Sequence, residues 1–210
     1  FVSYKAHKND KRIPSVVNDM ANELGKNGNT YPDLLSRMAQ FELTLLDWAE
    51  NNKGSRDYVA FADKCWPAFP KEFGFEPCYV NSRLTGMGIP AACEVDIYGA
   101  VSEYIGACVS GDTVTLLDIN NSVPSDMFGN DIKGKFDYTL KDTFMGFHCG
   151  NTSSCKLVNG KIKYQLIQNR ILENGNTPDF TRGTMEGDIK PGDVTLFRMQ
   201  GTSDSKISCY

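Results

Sequence analysis

No stretch of this 210-residue chain approaches the ~20 consecutive apolar residues that a membrane-spanning helix needs. Its first residues do not run from charged to apolar in the manner of an export signal. Basic residues are too scattered for a nucleic-acid-binding face: 22 Lys and Arg stand against 26 Asp and Glu, a net charge of −4. The nearest approach is Lys5, Lys8, Lys11 and Arg12, which Asp10 interrupts and which reads as a solvated end. Phosphate-cradling loops are missing too, since Thr85-Gly-Met-Gly88 lacks the rest of either nucleotide fingerprint. Ser122 and Ser125 lie outside any strand–turn–helix elbow that would expose a nucleophile. The seven cysteines include no tightly spaced pair of the kind that clasps zinc, Cys149 and Cys155 being the nearest. Embedded in apolar runs and odd in number, they read as reduced, buried thiols of a cytoplasmic protein. Neither a membrane nor a nucleic acid is therefore expected among its partners.

What is present is an ordinary globular composition, 40% hydrophobic and 23% charged, with length enough to bury a core. Val16, Val17, Met20 and Leu24 predict a short helix over 13–26, stopped by Asn27-Gly28-Asn29. Leu34 or Leu35, Met38, Phe41, Leu45 and Trp48 recur every three to four residues and predict a second, amphipathic helix. Tyr58–Ala62 reads as a short buried strand, residues 70–80 as a helix–loop–strand unit with Cys78–Val80 its strand, and 96–109 as a third helix. Alternation of this kind points to a parallel sheet. After Gly111 the texture changes. An apolar strand at Thr113–Ile119, alternation over 155–173 around the turn Asn159-Gly160, and a strand at 191–199 read as antiparallel β structure. The expected architecture is an α/β segment over residues 1–110, carrying the carboxylates, followed by a β-barrel-like domain over 111–210. A start at Phe1 without methionine, and an end in the strand-like Lys206-Ile-Ser-Cys-Tyr210, read as the limits of a piece of a larger protein.

The chemistry concentrates in residues 75–105. There a Gly/Pro-punctuated loop delivers Glu94 and Asp96 beside a helix rich in small residues. Polar groups past the C-terminal end of a strand sit where α/β proteins bind ligands. The same acids would also stabilise a helix N-terminus by ~0.3–1 kcal/mol, and spacing alone leaves both readings open. Glu72 follows the preceding strand and could converge on the same place, or be a helix-surface glutamate. Arg83 and Asn81 could donate to sugar hydroxyls or tie their loop down. Asn120 belongs to the polar cluster 118–121 at a strand terminus. His148, flanked by aromatic and turn residues, reads as a hydrogen-bonded core histidine or a ligand.

Cys65-Trp-Pro67, Pro77-Cys-Tyr-Val-Asn-Ser-Arg83, Gly88-Ile-Pro-Ala-Ala-Cys-Glu-Val-Asp-Ile-Tyr-Gly-Ala100, Phe147-His-Cys-Gly-Asn151 and Gly192-Asp-Val-Thr-Leu-Phe-Arg198 resemble the L-fucose isomerase-like family, related to L-arabinose isomerase. The resemblance spans roughly residues 58–200. It implies an α/β region joined to a β-barrel-like domain, and a homo-oligomer with active sites between subunits. It also implies interconversion of an aldose and a ketose through an enediol, with Mn2+ or another divalent cation. On that basis Asp96 is a metal-binding and proton-accepting acid, and Glu94 matches the ligand position of the arabinose relatives. Glu72 is the second acid and ligand, although another register places Ala68 there. His148 resembles a histidine that contacts substrate, and Arg83 and Asn120 are expected to join it. The family's metal-ligand histidine near its C-terminus has no counterpart here. The alternative is a sugar-binding or regulatory relative, or a fragment, without catalysis.

Overall fold

A computed structural model describes residues 1–148, 152–165, 181–204 and 206–209. They form two compact units, one of Phe1–Thr115 with Gly150–Tyr210 and the other of Leu116–Cys149. The first unit opens with α1 (Val2–Ala6), α2 (Ile13–Gly28) and α3 (Leu35–Asn52). β1 (Phe61–Ala62), α4 (Ala68–Phe73), α5 (Cys78–Gly86), β2 (Ala91–Ala92) and α6 (Ile97–Ser110) follow. The second unit holds β3 (Asp118–Asn120) and β4 (Met145–Phe147), an antiparallel ribbon. Back in the first unit, β5 (Leu157–Gln165) pairs antiparallel with β6 (Thr181–Ile189), and β7 (Met199–Gly201) with β8 (Ile207–Cys209).

Every sheet among the described residues has two strands. The parallel order expected of the α/β segment is carried by β1 and β2 alone, with Phe61 opposite Ala91 and Ala62 opposite Ala92. The β-rich half forms separate antiparallel ribbons, and no closed barrel occurs among the described residues. No described helix is long and apolar enough to cross a membrane.

The core of the first unit gathers on α3, as its periodicity predicts. Leu35, Met38, Ala39, Phe41 and Leu43 are buried, against Met20 and Leu24 of α2, Tyr79, Val80 and Leu84 of α5, and Ile162 and Met185 of the β5–β6 ribbon. Tyr4, Phe41, Phe69, Phe73 and Phe75 interlock beside them, with Phe69 and Phe73 stacked at 4.2 Å and Phe41 edge-on to Phe69 at 5.0 Å. The ribbon lies close over the start of α5. The Glu76 N–H donates to the Arg182 carbonyl at 2.6 Å. Gly183 takes φ +117 there, and a Cβ would lie 2.6 Å from the Glu76 carbonyl oxygen, so only glycine fits.

Four sequence expectations are corrected. Cys78–Val80 is the first turn of α5 rather than a strand. Residues 78–82, 84 and 85 are all buried, so the helix is covered nearly all round, and its continuous apolar run imitates a buried strand. Thr113–Ile119 contributes only its last residues, to β3, and 191–198 precede β7 without strand pairing. Asn159-Gly160 marks a bulge inside β5 and not a hairpin turn. Asn159 takes φ 56, and the register slips between Val158 and Lys161. The positive φ that such a dipeptide permits is used for an irregularity instead of a reversal. Residues 166–173 of the expected hairpin lie outside the described residues.

Arg83 of α5 joins three helices. Its Nε donates to Glu42 Oε2 of α3 at 2.6 Å, its second terminal nitrogen to Glu42 Oε1 at 3.2 Å, and its first to Glu23 of α2. Arg83 is 9% and Glu42 2% exposed, so neither charge has water to fall back on. Arg83→Ala should therefore cost about 3–5 kcal/mol of unfolding free energy, read from urea melts, because it strands Glu42.

Candidate functional site

β1 and β2 are short but firmly placed. The Phe61 N–H donates to the Pro90 carbonyl at 2.8 Å and the Asp63 N–H to the Ala92 carbonyl at 2.9 Å. The chain then turns sharply after β2. Glu94 and Val95 both have φ 60, a left-handed conformation that is an outlier for the β-branched valine. The Val95 N–H donates to the Asp63 carbonyl at 2.8 Å and locks that turn against the end of β1. The C-terminal edge of the parallel pair thus carries Asp63, Cys65, Cys93, Glu94 and Asp96 within a few residues of the strands.

Asp63 is the least expected of these. Its Oδ2 accepts from the Asn81 side-chain amide of α5 at 2.9 Å, whereas its buried Oδ1 has no hydrogen-bond partner among the described residues. Burial disfavours the charged form and raises its pKa from 3.8 to about 6, against the lowering effect of the Asn81 hydrogen bond. The sequence did carry a signal. Asp63 is the first polar residue after the strand-like run at 58–62, where the rule for strand ends points.

Asp96 sits beside Glu94 but faces the helix. It is the N-cap of α6, its Oδ1 accepting from the Gly99 N–H at 2.8 Å, with an Arg198 guanidinium nitrogen 3.4 Å from Oδ2. Glu94 is exposed, and one of its oxygens lies with the Sγ atoms of Cys65 and Cys93 in a group whose members are all within 4.8 Å of one another. Glu72 is exposed on α4 and belongs to neither potential ligand cluster among the described residues. Arg83 is taken up by Glu23 and Glu42, and Asn81 by Asp63. Asn120 and His148 are in the second unit. Asn120 is exposed and stands opposite Met145 in the β3–β4 register, and His148, half-buried, follows β4 directly.

The other cluster, His7, Asp10 and Asp47, already holds a cation. Arg12 donates to Asp10 at 2.6–3.2 Å and to both Asp47 oxygens at 2.6 and 2.9 Å. His7 Nε2 adds a contact to Asp47 at 2.9 Å. A cleft of about 870 Å³ lies elsewhere in the first unit, with Glu23, Asn27, Ser154, Asn159, Lys161 and Met185 along its walls. Glu72, Glu94, Asp96 and Arg83 are not among its lining residues.

The donors gathered at the strand edge do not match the manganese that the family resemblance implies. That ion favours hard oxygen ligands, and here two of the three grouped donors are thiol sulfurs. Asp96 and Glu72, the expected oxygen ligands, stand outside the group.

Two outcomes follow. Asp63 contributes most to stability below its unfolded-state pKa, and that contribution is lost as pH climbs through about 6. In chelator-treated protein, Asp63→Asn should flatten the fall in stability across roughly pH 4–6 and raise stability at pH 7 by up to about 3 kcal/mol. Asp96→Ala should lower the unfolding free energy by about 1 kcal/mol through loss of the cap, read from urea melts.

No family model and no solved structure matches this chain. It is similar to sulfoquinovose isomerases from three genera. That of Alkalicoccus urumqiensis is 29% identical over 178 residues, covering 78% of this chain and 33% of the relative. That of Priestia megaterium is 26% identical over 176 residues, covering 84% and 34%. A Clostridium sp. protein is 31% identical over 155 residues, covering 70% and 29%. The chain thus spans about a third of the length of the curated relatives it matches, and along most of its own length it is similar to isomerases that bear a sugar's name.

Proposed function

We propose that this protein is a ketol isomerase that interconverts an aldose and its ketose. The observation that carries the reading is the similarity to sulfoquinovose isomerases along 70–84% of the chain. A sulfonated aldose is accordingly the substrate class of choice. The L-fucose isomerase-like motifs favour the same reaction on a different sugar, and with it assembly as a homo-oligomer.

Such a reaction moves one proton between two carbons and a second between their oxygens. A base removes the first from the carbon beside the carbonyl; the resulting enediol takes a proton back on the former carbonyl carbon, while the hydroxyl proton passes to the former carbonyl oxygen as the new carbonyl forms. Asp63 suits that shuttle. Its Oδ1 makes no hydrogen bond with the described residues, and its Oδ2 is held by Asn81, which fixes the carboxyl's orientation. Its place after β1 is where open α/β sheets present groups to ligands. Asp96, bonded to Gly99 and Arg198, serves the reading by fixing the turn that carries Glu94. No step is assigned to manganese, for which the grouped donors are a poor fit.

A second reading, sugar binding without turnover, is favoured by one observation: among the described residues neither Glu72 nor Asp96 belongs to a group of three or more potential metal donors. One experiment separates the two. Incubation with sulfoquinovose in D2O, followed by NMR, should give ketose together with solvent deuterium on the carbons that exchange the proton. Asp63→Asn should reduce turnover by at least about a hundredfold while the fold persists. Sugar affinity without ketose or deuterium incorporation would hand the protein to the second reading. Wild-type turnover in Asp63→Asn would remove Asp63 from the mechanism.

A further inference from the structure

Cys65 and Cys93 lie 28 positions apart in the chain, yet the β1–β2 pairing puts their sulfurs into one group with a Glu94 oxygen. Both thiols are 3% exposed, whereas Glu94 faces solvent. The three donors come from two strand ends whose backbones are tied together through Asp63, Ala92 and Val95. Their positions are therefore set by main-chain hydrogen bonds and not by side-chain chance.

We propose that Cys65, Cys93 and Glu94 form a binding site for one zinc-class divalent cation. Around a tetrahedral zinc with sulfurs at about 2.3 Å and oxygen at about 2.0–2.2 Å, neighbouring donors are roughly 3.4–3.8 Å apart. The observed group, all within 4.8 Å, is larger than that by about an ångström at most, a closure that ligand binding would have to bring about. Sulfur selects zinc or cobalt over manganese, since thiolates are soft donors and manganese prefers oxygen. Binding converts both thiols to thiolates and releases their protons to solvent, so uptake strengthens as pH rises. Three protein ligands leave a fourth position. On the exposed side, where Glu94 stands, it is available to water or to a hydroxyl oxygen of a small molecule. The assignment rests on these donor atoms and stands independently of the isomerase reading.

The experiment is a titration of the reduced, full chain with cobalt, followed optically. One equivalent should produce the near-ultraviolet charge-transfer absorption of a thiolate–cobalt bond, and one equivalent of zinc should abolish it. Zinc affinity, measured by competition with a chromogenic chelator, should fall at least about a hundredfold in Cys65→Ser or Cys93→Ser. Loss of even an outer-shell partner of a ligand costs about 10–100-fold, and these are ligands themselves. Glu94→Gln should weaken zinc at least about tenfold, Cys108→Ser should change nothing, and manganese should bind more than about tenfold less tightly than zinc. If a serine variant fails to fold, the wild-type cobalt spectrum decides. Cobalt uptake without a thiolate band, unchanged zinc affinity in the folded variants, equal affinity for manganese, or a Cys65–Cys93 disulfide in place of metal uptake would each overturn the site. None of these readouts involves sugar turnover, so failure here leaves the isomerase reading untouched, and the reverse also holds.

Discussion

The pairing of β1 with β2 is the constraint on which the candidate site depends. Two residues on each side are enough, because the main-chain bonds continue past the strands: Asp63 donates to Ala92 and accepts from Val95. Those two bonds bring residues from two separated stretches of chain to one edge and hold the 94–95 turn in its left-handed conformation. Backbone held there by its surroundings is characteristic of places where side-chain direction matters more than local comfort. Without the pairing, Cys65 and Asp63 would be features of one loop, and Cys93 and Glu94 of another.

Electrostatics divide the molecule's charged residues into those that hold the fold and those left for chemistry. Arg83 has a burial cost that its ion pairs with Glu42 and Glu23 help to offset. Arg12 does the same on a more exposed face, filling the cluster of His7, Asp10 and Asp47. Asp63 is the contrary case. Among the described residues its carboxyl has one polar partner, a neutral amide, and burial keeps it easier to protonate than usual. Buried carboxyls with so little compensation are found where a protein uses them.

Much of the helical framework was legible in the chain. α3 follows from its apolar spacing, and α6 from the acids before it and the glycine after it, which is Gly111 at φ 65. Helix α5 was not, because a helix buried on nearly every side loses the periodicity that betrays it. The strand runs at 113–119 and 191–198 carry β-type residues without finding partners along most of their length. The Glu94–Asp96 motif lies past the end of β2, which was not expected, and not past the expected strand Cys78–Val80, which is helical; the roles of its two acids depend on three-dimensional neighbours. Only the fold shows that Asp96 turns to Gly99 and that Glu94 meets two sulfurs. Spacing along the chain could not bring Cys65 to Cys93, since cross-strand register leaves no mark in either segment alone. Asp63 was visible in principle, as the first polar residue after the strand-like run at 58–62, of which Phe61–Ala62 forms the half-buried β1.

The β5–β6 ribbon covers a core built mainly by α2, α3 and α5, with Ile162 and Met185 seated among Met20, Leu24 and Met38. That order of parts matters when the chain is made. A ribosome adding about 5–20 residues per second finishes the helical portion several seconds before Ile189 emerges. For that interval the face awaiting the ribbon, greasy and uncovered, is open to neighbouring nascent chains. The faster residues 110–189 are added, the shorter that exposure, a constraint that a domain closed by its own early strands would not face.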